Sequence, residues 1–414
     1  MDDIFTDYPL SWKSILLTVP GVYDEGAEKE AALLADILTQ GAADIIHLRK
    51  PEASREYMER LLHALPSSLR GRIMLHDYYE LAEKYGLRGV QLNSRHPIEE
   101  GGFGLCSASC HSVKEAKEKA LNKDYVTLSP VFHSISKPGY TSPFSLEELK
   151  GQLPEGKVIA LGGVTPKDFH RLRRIGFGGS ALLGWFWENS TPERVRALAL
   201  RVRMLKAFPL LLITDSPTVE GTIDQAVRAY EGGCRWVQVR MKEASSRERV
   251  SAAKEILARC PGMLVCIDDD CEAVALSGAH GVHLGKNDIS TREARKIIGE
   301  DAIVGRTANS WPDVEQIALE GGADYLGIGP FRFTSTKKNL APSLGLDGYR
   351  DLIARMRSYD IHLPVLAIGG ITPEDVYELI KTGVDGIAVS GAINKAASPI
   401  EATELFLKEL KKKI

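Results

Sequence analysis

Short apolar runs alternate with amphipathic stretches along the whole chain. Such runs are typical of buried strands, and apolar positions that repeat every three to four residues are typical of helices. The first half contains the runs Ile15–Thr18, Ile45–Arg49, Ile73–His76, Gly89–Leu92, Leu105–Ser107, Tyr125–Leu128, Val158–Leu161 and Gly179–Leu183. Helical patterns such as Glu28–Gln40, Tyr57–Ala64 and Lys114–Ala120 lie between them. Eight strands alternating with helices predict an α/β fold, the (β/α)8 or TIM barrel.

The second half repeats this pattern. Its apolar runs are Leu210–Thr214, Trp236–Arg240, Leu264–Ile267, Gly281–Leu284, Ile303–Thr307, Tyr325–Ile328, Val365–Ile368 and Gly386–Val389. Landmarks match at a near-constant offset, since GVQL at 89–92 corresponds to GVHL at 281–284 and LGGVTP at 161–166 corresponds to IGGITP at 368–373. We therefore predict two tandem barrels, residues 1–207 and 208–414, with no low-complexity linker between them.

Composition narrows the classes of function. The chain has 414 residues, of which 44% are hydrophobic and 26% charged, as expected for globular domains with apolar cores. Its formal net charge of −3 argues against nucleic-acid or membrane partners, and no apolar run approaches membrane-spanning length. The six cysteines form no CxxC pair and the first residues are acidic, so we expect reduced thiols and a cytoplasmic protein. The oligomeric state stays open.

Charged side chains follow the second, third and fourth strands of the second half. Gln238, Arg240 and Lys242 alternate, so they point to one side of their strand. Carboxylates follow the next two strands, at 268–270 and at Asp288. Carboxylates from neighbouring strand ends, beside Arg and Lys, suit Mg²⁺ that carries a phosphate-rich ligand. The alternatives are helix N-capping by Asp268 or Asp270 and by Asp288, and a structural salt bridge for Arg240.

Glycines and hydroxyl groups follow the later strands. Gly369-Gly370 and Val389-Ser390 offer backbone N–H groups and a hydroxyl to a phosphate. Between them and the carboxylates in the chain lies Thr334-Ser335-Thr336-Lys337, with two threonine hydroxyls and a positive charge. One diphosphate corner and one monophosphate corner in the same barrel favour a transfer between two phosphorylated small molecules over a simple hydrolysis.

This series of motifs resembles the thiamine phosphate synthase (thiamine-phosphate pyrophosphorylase) family over nearly all of residues 208–407. The family pattern Gln-x-Arg-x-Lys is met at 238–242, and Gly-Pro-x-x-x-Thr-x-Thr-Lys is met at 329–337. The family's Asn-Asp is met by Asp268-Asp269, so the Asn is replaced while the Asp is kept. Lys286 replaces a Gln in the segment 281–288, and Thr307 stands where the family usually has a serine.

The resemblance implies a reaction and roles for its residues. Hydroxymethylpyrimidine diphosphate would condense with hydroxyethylthiazole phosphate, or its carboxylated form, and diphosphate would leave. Asp269 and Asp288 would hold Mg²⁺, and Arg240, Lys242 and Lys337 would be catalytic by stabilising charge on the leaving group. The implied substrate-binding residues are Gln238, Asp268, Thr307, Thr334, Thr336, Gly370, Val389 and Ser390. The alternatives are another phosphate-binding TIM-barrel lyase or isomerase, or a ligand-binding regulatory protein.

The first half keeps only part of this chemistry. Arg49, Asp77 and the segment 134–137 match Arg240, Asp269 and the segment 334–337, whereas His96, His47, Pro51 and Leu183 stand at the positions of Asp288, Gln238, Lys242 and Ser390. We therefore expect no diphosphate displacement there. This half resembles the related thiazole tautomerase branch, although that branch's catalytic His aligns with Pro130. The N-terminal barrel is expected either to act as a tautomerase, with His47, His111 or His133 as acid or base, or to be a scaffold.

Overall fold

The computed structural model describes residues 11–96, 103–133, 141–333 and 342–412. The chain divides into two compact units, residues 11–203 and residues 204–412. Each unit is a closed barrel of eight parallel strands that follow one another in chain order. The predicted α/β fold of two tandem TIM barrels is confirmed, and the boundary at 207/208 stays a prediction.

The strands begin and end close to the predicted positions. The first barrel consists of β1 (Lys13–Leu17), β2 (Ile45–Leu48), β3 (Ile73–Leu75), β4 (Gly89–Leu92), β5 (Leu105–Cys110), β6 (Tyr125–Leu128), β7 (Val158–Leu161) and β8 (Gly179–Leu182). The second consists of β9 (Leu210–Ile213), β10 (Trp236–Val239), β11 (Leu264–Asp268), β12 (Gly281–Leu284), β13 (Ile303–Ala308), β14 (Tyr325–Ile328), β15 (Val365–Ile368) and β16 (Gly386–Val389).

Helices connect the strands in both units. The first nine are α1 (Ala27–Gln40), α2 (Arg55–Ala64), α3 (Ser67–Arg70), α4 (Glu80–Tyr85), α5 (Val113–Lys119), α6 (Leu146–Leu149), α7 (Phe169–Ile175), α8 (Gly184–Trp187) and α9 (Pro192–Ala207). The others are α10 (Val219–Glu231), α11 (Ser246–Arg259), α12 (Cys271–Ser277), α13 (Thr291–Ile298), α14 (Trp311–Glu320), α15 (Gly345–Ser358), α16 (Val376–Lys381), α17 (Gly391–Asn394) and α18 (Pro399–Lys411). Short 3-10 turns at Pro166–Asp168 and Pro373–Asp375 precede α7 and α16.

Local sequence signals set where several helices begin and end. Ser245 and Ser290 each form a capping box with a glutamate three residues later, so they start α11 and α13. Gly41 and Gly278 adopt left-handed backbone angles and end α1 and α12. These caps hold the ends of the helices, and therefore the connecting loops, in fixed positions at the rim of each barrel.

An aromatic cluster fills the interior of the second barrel. Trp236 and Tyr325 are fully buried, with ring centroids 4.9 Å apart and nearly perpendicular planes, and the Phe208 ring lies 5.4 Å from that of Trp236. Edge-to-face packing of this kind is favourable and stiff. Because Tyr325 also lines the pocket at the barrel mouth, the cluster forms a rigid floor for that pocket.

Two further expectations concern cysteines and membranes. All six cysteines are free thiols and all six are buried. Within the part of the chain that the structure describes, no helix combines the length and the apolar character needed to cross a bilayer.

Candidate active site

A cavity of about 730 Å³ opens at the carboxyl ends of the strands of the second barrel. This volume suits one or two small molecules, and it lies where TIM barrels carry their functional groups. Every predicted site residue that the structure describes contributes to its lining: Gln238, Arg240, Lys242, Asp268, Asp269, Asp288, Thr307, Gly370, Val389 and Ser390. The remaining three, Thr334, Thr336 and Lys337, lie outside the described residues. The structure thus brings the predicted residues together, while their roles stay predictions.

Asp268 connects Gln238 of strand β10 to Arg240, which directly follows the strand. Its Oδ1 accepts a hydrogen bond from the Gln238 side-chain amide, and its Oδ2 lies 3.3 Å from the Arg240 Nε. The salt bridge considered for Arg240 therefore exists, but within the pocket. An ionised carboxylate can only accept hydrogen bonds, so the amide NH₂ of Gln238 must face Asp268. The carbonyl oxygen of Gln238 then remains available to a donor on a ligand.

Asp269 and Asp288 converge beside Gly285. The Gly285 N–H donates to Asp288 Oδ2, and the Asp269 N–H donates to the carbonyl of His283 on β12. An added Cβ at Gly285 would lie 2.9 Å from Asp288 Oδ2 and 4.0 Å from Asp269 Oδ1. Asp269 itself has a φ of 64°, a conformation that non-glycine residues seldom adopt. The backbone conformation at Asp269 and the missing side chain at Gly285 therefore allow the two carboxylates to lie close together.

The electrostatics of this pair fit a divalent cation. Loss of hydration raises the pKa of Asp269 to about 7, with further contributions from the charge of Asp268 and from the hydrogen bond with Asp288. A hydrogen bond between two carboxyl groups requires a proton on one of them, unless a cation lies between them. No group of three or more His, Cys, Asp or Glu side chains gathers as a metal site within the described ranges. Two carboxylates completed by substrate oxygens and water are the arrangement that Mg²⁺ commonly takes.

The third carboxylate of this loop has a structural function. Asp270 Oδ1 accepts the Ala273 N–H at 2.9 Å and caps α12, while its Oδ2 binds Ser246 and Arg249. Helix α13 is capped by Ser290 rather than by Asp288. The N-capping alternative is thus correct for Asp270 and wrong for Asp268 and Asp288.

His283 is a pocket residue to which sequence reasoning gave no role. Its Nδ1 lies 3.0 Å from the Tyr325 hydroxyl and its Nε2 lies 2.9 Å from the Thr307 hydroxyl. The ring therefore links the aromatic floor to the predicted substrate-binding Thr307. The signal was present in the sequence, because His283 occupies an inward position of strand β12. Asn309 was also missed, and its amide donates to the carbonyl of Gly329 at the pocket wall.

The glycines after β15 and the hydroxyl after β16 form a second polar corner. Gly369 and Gly370 have φ angles of 103° and 67°, and a Cβ on Gly369 would lie 2.9 Å from the Cα of Pro330. Only glycine suits this close approach. Ser390 Oγ accepts from the Asn394 amide at 3.3 Å, so its own O–H can donate to an anion in the pocket.

Comparison with known proteins assigns the chain to a family. The sequence profile described as thiamine monophosphate synthase matches residues 18–184 and 210–393, which is most of the chain. The chain belongs to this family. Thiamine-phosphate synthase of Bacteroides fragilis is 46% identical over 200 residues, covering 48% of this chain and 98% of its own. The enzyme of the same name from Phocaeicola vulgatus is 46% identical over 204 residues, covering 49% of this chain and 98% of its own.

Among solved structures, thiamine phosphate pyrophosphorylase from Pyrococcus furiosus is similar to half of the chain. It is 32% identical, covers 50% of this chain and 98% of its own, and has a TM-score of 0.44. Because the family profile matches twice, once in each barrel, the protein is a tandem thiamine phosphate synthase-like chain.

The N-terminal barrel of this family member carries a different mouth. Its counterpart of Asp269, Asp77, is bound by Arg95 at 2.8 Å, and His96 lies 3.5 Å away. Lys50, which is adjacent to the position of Lys242, does not replace that lysine. It is fully buried and lies 2.6 Å from the equally buried Glu30.

His47 does not lie free at this mouth, so its interpretation as an accessible acid or base is wrong. Its Nδ1 lies 2.9 Å from the His76 Nε2, and its Nε2 lies 2.6 Å from the Tyr125 hydroxyl. Burial lowers the pKa of His47 to about 3, with a smaller contribution from Arg88, so the ring is neutral. His111 and His133 are exposed, and their roles stay predictions.

Proposed function

We propose that the C-terminal barrel is a thiamine phosphate synthase that joins hydroxymethylpyrimidine diphosphate to hydroxyethylthiazole phosphate or its carboxylated form. The observation that carries the proposal is one pocket with a carboxylate pair, Asp269 and Asp288, beside Arg240, and a separate hydroxyl-bearing corner at Ser390. Membership of the thiamine monophosphate synthase family supports the same reaction and places the protein in thiamine biosynthesis.

The transfer breaks one bond and forms one bond. The methylene–oxygen bond of the pyrimidine breaks, and its electron pair leaves with the diphosphate. The thiazole nitrogen then donates its lone pair to the methylene carbon. An aminopyrimidine ring shares the positive charge on that carbon, and no proton has to be removed from the nucleophile. A side-chain general base is therefore unnecessary in this mechanism.

Residues in strands β10 and β11 and in the segment that follows β10 would bind the pyrimidine and its diphosphate. Because the Gln238 N–H faces Asp268, the Gln238 oxygen accepts from the exocyclic amine of the pyrimidine. Arg240 and Lys242, together with Lys337 from outside the described residues, stabilise the charge that grows on the departing diphosphate. Asp268 keeps the Arg240 side chain in the pocket through the 3.3 Å contact.

Asp269 and Asp288 would hold Mg²⁺. When bound there, the ion neutralises diphosphate oxygens and so favours departure of the leaving group. At the other corner, the Ser390 hydroxyl and backbone at Val389 and Gly370 bind the thiazole phosphate. Thr307, positioned by His283, contributes a hydroxyl to the substrates between the two corners.

The N-terminal barrel is proposed not to carry out this transfer, because His96 replaces the second carboxylate and Leu183 replaces the serine of the phosphate corner. It functions either as a thiazole tautomerase or as a scaffold. Since His47 is buried and neutral, a tautomerase function would depend on the exposed His111 or His133. Loss of tautomerisation in the double variant His111→Ala/His133→Ala would support the first function, and absence of tautomerisation in the wild type would support the second.

The test is diphosphate release by the full-length chain, measured with each substrate alone and with both, in Mg²⁺ and in excess EDTA. We expect release only with both substrates and at least a hundredfold loss in EDTA. A phosphate-binding lyase or isomerase would turn over a single substrate and would not need the carboxylate pair. Turnover that is unaffected by EDTA would contradict the metal assignment, and no turnover with both substrates would contradict the reaction.

A further inference from the structure

The mouths of the two barrels differ in charge at equivalent positions. In the second barrel, the carboxylates Asp268, Asp269 and Asp288 face the cations Arg240 and Lys242. In the first, strand pairing aligns His47 with Met74 as it aligns Gln238 with Cys266. His76 therefore occupies the position of Asp268, and Asp77 that of Asp269. Of the three carboxylates at the mouth of the second barrel, the first barrel therefore keeps only the counterpart of Asp269.

Arg95 takes the place of the cation at the remaining carboxylate. Its Nε and Nη2 lie 3.2 and 2.8 Å from Asp77 Oδ1. Asn93 fixes this loop, because its Oδ1 accepts the Arg95 N–H at 2.9 Å and its Nδ2 donates to the His76 carbonyl at 2.8 Å. The Arg95 guanidinium binds Asp77 through Nε and Nη2 and still carries the donors of Nη1, for which the described residues provide no hydrogen-bond partner.

Arg49 has lost the partner that its counterpart keeps. Arg240 pairs with Asp268, but the equivalent residue, His76, is buried and its pKa lies well below 6.5 because of that burial, so it is neutral. Within the described part of the chain, no carboxylate lies at ion-pair distance from the half-buried Arg49 guanidinium. Asp77 and the exposed Glu52 attract it only from further away, and Arg95 repels it. A partly desolvated guanidinium in this position is stabilised by an anion.

The opposite corner of the first barrel has lost its phosphate-binding hydroxyl. Leu183 stands at the position of Ser390, as the pairing of β8 and β16 with the first strand of each barrel shows. Trp187 donates to the Leu17 carbonyl at 2.6 Å, where Asn394 donates to the Ile213 carbonyl at 2.9 Å. The Trp187 indole therefore makes the same hydrogen bond to the first strand as Asn394 does. Asn394 also donates to Ser390 Oγ, and this contact has no counterpart where Leu183 replaces the serine. Anion-binding capacity in this barrel lies on the side of Arg49 and Arg95.

We propose that the mouth of the N-terminal barrel binds a small phosphorylated ligand through Arg49 and Arg95 without a metal ion. Two guanidinium groups lie beside Asp77 at this mouth, and the more distant Glu52 is exposed and therefore screened by solvent, so the site attracts an anion without a metal ion. Each guanidinium offers paired N–H donors that match two oxygens of a phosphate group. The inference does not depend on the reaction proposed for the C-terminal barrel, in which the corresponding carboxylates are assigned to Mg²⁺.

Calorimetric titration of the full-length chain with inorganic diphosphate in excess EDTA tests this proposal. We expect the wild type to bind under these conditions and Arg49→Met to bind about ten- to a hundredfold more weakly, as for loss of a charge-assisted hydrogen-bonding group. The matched control is Arg60→Met, the same change at an exposed arginine of helix α2 that pairs with Glu28. It should leave the metal-free binding within about twofold of the wild type.

Three results would overturn the proposal: no binding in EDTA, binding that survives Arg49→Met, or binding that Arg60→Met weakens as much as Arg49→Met does. Thermal melting shows whether Arg49→Met is folded. If it is not, Arg49→Lys decides, because it keeps the charge but loses the forked donors and should weaken binding at least threefold. Unchanged binding in Arg49→Lys would then count against the proposal. Diphosphate release in the presence of both substrates is measured in a separate assay, and it reports only on the transfer reaction.

Discussion

Three consecutive carboxylates at the end of strand β11, residues 268–270, have three different environments. Asp268 binds Gln238 and Arg240, Asp269 meets Asp288, and Asp270 caps α12. The sequence predicted that carboxylates gather here, because they follow strand ends. It could not assign each one, since the assignment depends on the left-handed backbone at Asp269, which turns successive side chains in unrelated directions. Sequence alternation predicts directions only within a strand.

Isosteric amide substitutions of Asp288, which meets Asp269, and of Asp270 should have different effects on activity. Asp288→Asn removes a negative charge from the proposed metal pair, so we expect kcat/KM for thiamine phosphate formation to fall at least about a hundredfold. Asp270→Asn keeps an oxygen that can accept the Ala273 N–H, so its kcat/KM should stay within about fivefold of the wild type. Equal losses in the two variants, measured at saturating Mg²⁺, would contradict the division of roles.

The burial of His47 leads to a separate prediction about how the free energy of unfolding depends on pH. Its pKa is about 3 in the folded barrel because of burial, against about 6.5 in the unfolded chain, so the unfolded state takes up the proton first as the pH falls. This group therefore lowers the free energy of unfolding by about 1.4 kcal/mol per pH unit below pH 6.5. Between pH 7 and pH 5 we expect the wild type to lose about 2 kcal/mol more than His47→Gln.

Amide hydrogen exchange in β2 and in β10 can report this effect for each barrel. The difference between wild type and His47→Gln should be confined to β2, and β10 is the internal control. Gln is a suitable replacement because Gln238 occupies the equivalent position of the second barrel. An identical pH dependence of β2 protection in the two proteins would show that His47 is not the titrating group.

At the scale of elements, the sequence predicted most strand ends closely, but it predicted strand β5 too short. Strand β5 was expected at 105–107 and extends to Cys110. The added residues are small and partly polar, as in loops, but Ala108 pairs with both Leu92 and Val126. Pairing on both sides overrides local composition. Similarly, no pattern indicated that Lys50 turns away from the mouth to Glu30, because a buried ion pair is a tertiary contact.

The loop that follows β12 provides a prediction at this scale. Gly285→Ala would place a methyl group 2.9 Å from Asp288 Oδ2, between the two carboxylates. Since the φ of Gly285 is not in the left-handed region, the fold should tolerate alanine. We expect the Mg²⁺ concentration for half-maximal activity to rise about tenfold or more while the melting temperature changes little.

Gly71→Ala is the matched control for this change. An added Cβ at Gly71 meets no atom within 4 Å, and its φ of −63° suits alanine. Both the Mg²⁺ requirement and the melting temperature should stay at the wild-type values. A normal Mg²⁺ requirement in Gly285→Ala would mean that the carboxylates do not converge on the ion beside this glycine.

On the scale of the whole molecule, one fold occurs twice with different mouths. The repeat of apolar runs predicted both barrels, because burial of strands on both faces constrains those positions strongly. The mouths were less predictable. The missing carboxylate at His96 could be seen by alignment, whereas the Arg95–Asp77 pair and the buried His47–His76 contact could not. Residues at strand ends are free to change without affecting the barrel, so two mouths can diverge on one scaffold.

The central claim is that the transfer reaction belongs to the C-terminal barrel alone. It is tested most directly by thiamine phosphate formation in two full-length variants, Asp269→Asn and Asp77→Asn, which make the same change at equivalent positions. With both substrates and Mg²⁺, we predict at least a hundredfold loss for Asp269→Asn and turnover within about twofold of the wild type for Asp77→Asn. Near-normal turnover in Asp269→Asn, or a comparable loss in a folded Asp77→Asn, would contradict this account.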